Sequence, residues 1–595
     1  MTVLAGVFSR LDDAALPDAL AAELLRAISR HPGDRPATYR DQRCLLAKID
    51  VGAYSEPAFR EEPPGSVCLL AGEPLLTLNE RQTGRSRSHD LEILHRELRR
   101  ENWNVLAAAH GVFSLAHYER TTGQLTLSTD KLGIRPLYYW VGERYVVFAS
   151  ALRILEGIQA VPKEMDVRAV TEIAAIGFPL GTRTPYLGIR VLDAAEVLRL
   201  TAREEIHTRY WRWDAVGPSA RAEPELLAES YDRFVTAVTQ RLQGDSSTRA
   251  FLSGGLDSRC IVAVLRQCDA VVQTINFALW PGMQDEILAA QFAERAGTIH
   301  HTVAIDAAAE LRLSLSMADF LARDSGAGLG SLPERPRLVW AGDGGSVGLG
   351  HVYITSAIAE HLRAGRTALA IGAFLERQGT RVIRRLLRSG VAQTLSGYPA
   401  EGIRMELDRI RCTDPVRAFH VFLMLNDQRR HLSAHFEDID LHRLELQLPF
   451  FDSRLLQLIL TAPVDLFLGH RFYLKWLAHL PPAVRTVPWQ SYPGHAPCPL
   501  PLPQKVGYQW APGTLDELRR RRRQAILRRA RELLVAQDFP DHILLKSRLR
   551  AAYWLTRARL GQYDYVIRFA EVFCRYWARS DGTVPSRRLR AAQVS

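Results

Sequence analysis

The run Phe251-Leu252-Ser253-Gly254-Gly255-Leu256-Asp257-Ser258 puts two glycines, two hydroxyls and one carboxylate where a strand-like stretch, Thr248 to Leu252, gives way to a helix-like one, Ser258 to Gln267. Such a turn is suited to holding an anion. The backbone N–H groups of Ser253, Gly254 and Gly255 are expected to be free and to point above the strand end. There they and the positive end of the helix dipole would stabilise phosphate oxygens. Glycine lets backbone approach phosphate without a Cβ in the way. The lysine of a GxxxxGK[ST] loop is missing, and Asp257 stands where a lysine would not. A carboxylate beside phosphates needs a cation between them. Mg²⁺, which takes one or two carboxylates together with phosphate oxygens, is the expected ion. The bland alternative is a Gly-Gly turn with an N-capping serine and no ligand.

The elements that must position this turn follow from periodicity. Before it, residues 225–242 read as a helix; after it, 271–278 read as a strand and 285–297 as a helix. Strands alternating with helices imply a parallel sheet covered by helices, and ligands of such sheets bind at the carboxyl ends of the strands. From about residue 360 the pattern is mainly helical. Residues 1–205 are different. Short β-type runs at 67–72, 110–119, 124–129 and 137–150 with one helical segment at 90–100 predict an α+β, hairpin-rich domain. Pro, Gly, Ser and Ala at 214–225 mark a linker, so the expected domains are 1–205 and 206–595.

Composition narrows the class. At 595 residues, 47% hydrophobic and 24% charged, the chain is globular and too long for one core. Seven scattered cysteines show neither metal spacing nor a disulfide framework, and no apolar run suits a signal peptide or a membrane span, so the expected location is the cytoplasm. The net charge of +11 and the run Arg519 to Arg523 raise a nucleic-acid reading. Leu515, Leu518, Ile526, Leu527, Leu533 and Leu534 form an apolar stripe through the same segment, so the arginines are read as the solvated face of a helix and nucleic acid is not expected. An acidic leader peptide or a phosphate-bearing partner remains an alternative.

SGGLDS resembles the pyrophosphate-loop signature of the N-type ATP pyrophosphatases, and its surroundings resemble the asparagine synthetase family. The resemblance is carried by QDEILAAQFAERAGTIHH (284–301), LELQLPFFDSRLLQLILTAP (444–463), STDKLGIRPLYYWVGERYVVFASALRIL (128–155) and HTRYW (207–211), and covers residues 1 to about 500. It implies an N-terminal Ntn-hydrolase-like αββα domain of the class II glutamine amidotransferase type, followed by an α/β PP-loop ATP pyrophosphatase domain with a mainly helical C-terminal part. It also implies chemistry in which ATP and a carboxylate give an acyl-adenylate, which an amine then attacks. ATP is expected against Leu252, Ser253, Gly254, Gly255, Asp257, Ser258, Phe277 and Gly342, with Mg²⁺ on Asp257 and Asp343.

Departures from the family sharpen the expectation. The family's N-terminal nucleophilic Cys aligns with Ala5, whose methyl group cannot attack an amide, and Thr2 lies three residues too early. Ala71-Gly72-Glu73-Pro74 replaces the glutamine-recognition pattern. In Ala341-Gly342-Asp343-Gly344-Gly345-Ser346-Val347, Asp343 aligns with the residue that helps deprotonate the amine, and Ser346 with the second Mg²⁺ carboxylate. Asp343 is therefore read as base, as replacement metal ligand, or as an Asx-turn residue. Trp489 aligns with the lysine that stabilises charge on the phosphates, leaving Lys475, Arg485 or His495 to supply it; Lys475 and Arg485, with Asp343, are the expected catalytic residues. Glu445 and Asp452 are read as architectural. The expected function is an AMP-forming amide synthetase that uses a substrate amine, with a small-molecule or peptide substrate and a precursor peptide or maturation protein as candidate partner. Intramolecular cyclisation of the lasso-peptide or β-lactam type is the leading form. The alternatives are an ammonia-dependent asparagine-type enzyme and a nucleotide-binding scaffold.

Overall fold

Apolar residues at alternate positions fold the first two hundred residues into two antiparallel six-stranded sheets, as a computed structural model of the chain shows. The structure describes all residues except 1, 12–14, 55, 77–85, 279–281, 305–333, 380, 493, 503–515, 562 and 583–595. The first sheet runs Ile189–Val191, Tyr138–Val141, Tyr145–Ala149, Thr2–Ser9, Cys44–Asp50 and Ala37–Arg40. The second runs Glu205–Arg209, Glu196–Leu200, Gln124–Thr129, Phe113–Glu119, Ser66–Gly72 and Phe59–Glu62. Leu4, Phe8, Leu46, Leu69, Tyr118 and Leu127 fill the space between them. Helix Asp18–Ala27 covers the outer face of the first sheet through Leu20 and Leu24, and helix Arg87–Arg99 covers the second through Leu91, Leu94 and Leu98. The result is the αββα sandwich expected from the sequence. Ala5 lies fully buried in the first sheet, paired with Ala47 on one side and Ala149 on the other.

The second domain is built on a five-stranded parallel sheet, in the order Ile299–Ala304, Val271–Ala278, Ser247–Phe251, Leu338–Trp340, Glu445–Gln447. The last two strands have three residues each, too few to show alternation, and Glu445–Gln447 sits inside a stretch whose sequence reads as helical. Strand order reverses between Ser247–Phe251 and Leu338–Trp340, which makes this the switch point where open α/β sheets bind ligands. Helices Glu223–Leu242, Asp257–Gln267 and Gln284–Ala296 pack on the sheet through residues such as Phe234, Ile261, Val264 and Phe292.

Buried charge ties the two domains together. Arg135 of the first donates two hydrogen bonds to Glu445 of the second, at 2.7 and 3.1 Å, with both side chains 2% exposed. Glu437 accepts the N–H groups of Leu152 and Arg153, and Asp440 receives Arg30 and Arg153. Asp452 caps helix Ser453–Thr461 and is held by Arg241 and Arg454, which keep its carboxyl near 2 against the opposing effect of burial.

The C-terminal helices Asp516–Val535, Lys546–Arg557 and Asp564–Trp577 form a further core. Ala530, Ile543, Leu549 and Phe573 pack there on Leu386 and Leu395, and on Met165 and Val170 of the first domain. Ile526, Leu527, Leu533 and Leu534 face this core, as the apolar stripe predicts, while Arg528 and Arg529 are exposed. Leu515 lies outside the described residues. Among the described residues no helix is long and apolar enough to cross a membrane.

Candidate functional site

The strand Ser247–Phe251 ends at the switch point, and helix Asp257–Gln267 starts six residues later without a side-chain cap. Between them the loop is stitched to itself and to its neighbours. Gly254 N–H donates to Asp285 Oδ1 at 2.8 Å, Ser253 N–H to Ser258 Oγ at 3.0 Å and Gly255 N–H to Ser253 Oγ at 3.3 Å. This corrects the expectation of free amides at 253–255. Buried or half-buried N–H groups find partners where side chains are in reach, and here Asp285, Ser258 and Ser253 are. The anion-directed feature that stays is the uncapped start of the helix at Leu256 and Asp257. Asp285 and Asn276, to which the sequence assigned no role, set the loop. Asn276 Nδ2 donates to both Leu252 O and Asp285 Oδ2, at 2.8 and 2.7 Å.

Above the loop lies a cleft of about 350 Å³, a fitting size for a small-molecule site. Leu252, Ser253, Asp257, Ser258 and Phe277 line one side, and Gly342, Asp343 and Ser346 the other. Gly254 and Gly255 are not part of its lining. Gly254 is pressed against Asp285 beneath, where a Cβ would come within 3.0 Å of backbone. Phe277 meets Phe251 edge to face at 5.7 Å, an apolar wall on the strand side. Gly342 is required by close packing: a Cβ there would come within 2.7 Å of Ser258 N.

Asp257 is the buried centre of the site. It accepts the Tyr473 hydroxyl at 2.6 Å, and both the N–H and the hydroxyl of Ser346 at 2.8 Å. Burial lifts its carboxyl to about 6; these hydrogen bonds oppose the rise and the negative charge of Asp343 adds to it. Asp343 is bonded to His431 Nε2 at 3.0 Å. Burial would raise the Asp343 carboxyl, but His431 outweighs it and holds the carboxyl below its usual value, while His431 is itself raised by that hydrogen bond. Gln428 and His431 reach the cleft from the π-helical turn Met424–Gln428 and the short helix after it. Tyr473 and His431 lie 216 and 88 residues from their partners, and no local signal in the sequence marks them.

These residues fit a divalent cation only in part. Two carboxylates face one cleft and repel each other, which a bound cation would relieve. Yet among the described residues no group of three or more His, Cys, Asp or Glu could hold a metal alone. A Mg²⁺ ion here would rest on Asp257, Asp343 and oxygens brought by a nucleotide.

The expected cations lie elsewhere. Lys475 is exposed on the far side of helix Arg471–Trp476 from Tyr473 and pairs at 2.8 Å with half-buried Glu223. Arg485 is exposed on helix Ala483–Thr486, and neither residue lines the cleft. The side chain of Trp489 is packed in the core, and His495 bonds to the Val352 carbonyl. The cation nearest the loop is one the sequence did not single out. Arg259, fully buried, donates to the carbonyls of Gly254 and Gly255 and to those of Val484, Val487 and Pro488. Burial lowers its pKa to about 10.

In the first domain, Glu73 lies buried at the domain interface, accepting from Gln243 and Gln447. Arg87 fills the adjoining space, donating to the Gly72 and Leu70 carbonyls and stacking on Tyr54 at 4.4 Å.

Two family profiles match the chain in order: the glutamine amidotransferase domain over residues 76–211 and asparagine synthase over residues 229–322. The chain is 26% identical over 203 residues to a putative glutamine-hydrolysing asparagine synthetase 2 of Methanocaldococcus jannaschii, covering 33% of this chain and 39% of that protein. It is 26% identical over 233 residues to the glutamine-hydrolysing asparagine synthetase 3 of Bacillus subtilis, covering 37% of each. Over another 233 residues it is 24% identical to the amidase chry2 of Gibberella zeae, covering 37% of this chain and 34% of that protein. The matched stretches thus span less than two-fifths of these relatives.

Proposed function

We propose, from the premise that this chain belongs to the asparagine synthetase superfamily, that it is an ATP-dependent, AMP-forming amide synthetase whose nitrogen comes from an amine on its substrate and not from glutamine. The observation that carries this reading is the cleft at the switch point of the parallel sheet, where an uncapped helix start and two carboxylates meet over a Gly-Gly turn. ATP lies against Leu252, Ser258, Phe277 and Gly342, with its phosphates towards the start of helix Asp257–Gln267, whose dipole favours negative charge. Asp257 and Asp343 would hold Mg²⁺. When bound, that ion neutralises charge on the phosphates and so makes AMP and pyrophosphate better leaving groups.

The substrate carboxylate attacks the α-phosphorus, pyrophosphate leaves, and an acyl-adenylate results. The amine then attacks the acyl carbon, AMP departs with the carboxylate's former oxygen, and the amine's proton passes to the Asp343–His431 pair. Supporting the missing glutaminase step, the residue aligned with the nucleophile is the methyl side chain of Ala5, locked between two strands, and Glu73 and Arg87 are committed to structural bonds. The substrate reading extends to ring closure within a peptide or a β-amino acid.

Exchange of labelled pyrophosphate into ATP tests the reading with a panel of carboxylates: aspartate, β-amino acids and short peptides. Exchange is expected with at least one, together with no release of glutamate from glutamine. A nucleotide-binding scaffold is the second reading, favoured by Trp489 standing where a phosphate-side cation is expected. ATP binding without exchange for any carboxylate would decide for it. Where exchange occurs, product formation with free ammonia alone would point instead to an ammonia-dependent enzyme.

A further inference from the structure

Among the described residues, the donors that hold the Asp257 carboxylate are neutral. The Tyr473 hydroxyl and the Ser346 N–H take one lone-pair site on each oxygen, and the single Ser346 hydroxyl proton is shared between the two oxygens at 2.9 and 2.8 Å, so three protons serve the roughly four sites a carboxylate offers. Among the described residues, the interactions that chiefly set its protonation are burial, these bonds and the like charge of Asp343. Both clamping residues are themselves fixed. Tyr473 is fully buried, with the rings of Trp476 at 5.6 Å and His470 at 5.4 Å. Ser346 follows Gly344, which turns the backbone at φ 92°, and Gly345, whose missing Cβ would lie 2.7 Å from the Asp257 carboxyl carbon. The chain is thus pressed directly onto the carboxylate, and Asp257 still lines the cleft.

We infer that Tyr473 and Ser346 are positioning residues for a divalent cation: their three protons fix the Asp257 carboxylate, and the lone pair that the shared Ser346 hydroxyl covers only in part is the one that a metal ion arriving with a nucleoside triphosphate would take. This rests on reading the cleft as an ATP·Mg²⁺ site. Hydroxyls add no charge, so they cannot attract a cation as a second carboxylate would. What they supply is orientation, as the partners that surround metal ligands generally do. Removing one hydroxyl frees the carboxylate to rotate or to satisfy itself otherwise, and the loss falls on the cation-dependent part of nucleotide binding.

The test is calorimetric titration of ATP into the full-length chain over a series of MgCl₂ concentrations, for wild type, Tyr473→Phe, Ser346→Ala and Asp257→Ala, each with its melting temperature. Tyr473→Phe and Ser346→Ala are each expected to raise the half-saturating Mg²⁺ concentration about 10- to 100-fold, with ATP affinity in the absence of Mg²⁺ unchanged; Asp257→Ala is expected to abolish the Mg²⁺ dependence. Wild-type Mg²⁺ dependence in both hydroxyl variants would overturn the clamp while leaving the ATP·Mg²⁺ site standing. ATP binding by the wild type that ignores Mg²⁺, or a Mg²⁺ dependence that survives in Asp257→Ala, would overturn the site and the clamp together. If Tyr473→Phe fails to fold, Ser346→Ala carries the comparison.

Discussion

Asp257 is the residue at which function and stability pull in opposite directions. Its carboxyl stands at about 6 in the folded chain because of burial, against about 3.9 for an unperturbed aspartate. The folded state therefore binds this proton more tightly than the unfolded state does. By linkage, the stabilising effect of protonation is complete below the unfolded value and is lost as the pH rises through about 6. Without nucleotide, the wild type should gain about 2 kcal/mol between pH 7 and pH 4 relative to Asp257→Asn. Urea denaturation of both proteins across that range would show it, and parallel pH profiles would exclude it. The sequence makes Asp257 legible because the glycines and serines beside it specify a strand-to-helix turn for a phosphate. It does not reveal the Ser346 and Tyr473 bonds, which join segments 89 and 216 residues away, nor that Asp285 would occupy an amide read as free.

At the scale of elements, the loop is shaped from behind as much as from its own sequence. Helix Asp257–Gln267 and the segment 484–490 are joined by Arg259, which reaches five carbonyls, and by the N–H of Gln490, which donates to Gly254 O at 2.9 Å. Arg259→Ala would take the guanidinium donors away from these carbonyls, of which Gly254 O keeps the Gln490 N–H, and is expected to lower stability by about 3–5 kcal/mol, measured as a fall in the urea midpoint. A loss under about 1 kcal/mol would mean that water or another side chain replaces the guanidinium. Periodicity placed the strands Val271–Ala278 and Ser247–Phe251 and their helices to within a residue or two, since long amphipathic patterns are hard to mistake. It missed Leu338–Trp340 and Glu445–Gln447, where three residues are too few to show a period. It also could not say that Lys475 and Tyr473, two positions apart on one helix, face opposite ways, with the tyrosine at the carboxylate and the lysine in solvent.

For the whole molecule, the first domain works as a structural half of the second. The buried Arg135–Glu445 pair, the capping of residues 152 and 153 by Glu437, and the Glu73 bonds to Gln243 and Gln447 all cross the boundary. The C-terminal helices grip both halves through one core. Phe573→Ala, in that core and not among the cleft residues, should lower stability by about 3–5 kcal/mol and leave ATP affinity within twofold of wild type. Calorimetry and denaturation on the same preparation would read both, and a large change in ATP affinity would show that the C-terminal core controls the cleft. The sequence predicted the apolar stripe of this segment but gave no sign of what it covers, because Met165 and Val170 lie more than 350 residues earlier.

That distance matters during synthesis. The helix Val167–Ile176 leaves the ribosome with part of its apolar face directed at helices not yet translated. At about 5–20 residues per second, Met165 and Val170 wait roughly twenty to eighty seconds for Leu549 and Phe573 to emerge. Until then the nascent first domain carries an uncovered apolar strip, open to a chaperone or to another nascent chain. Helices Lys546–Arg557 and Asp564–Trp577 thus act as a closing seam, and a ribosome that stalls before Lys546 would leave a chain whose sheets are complete but whose surface is not.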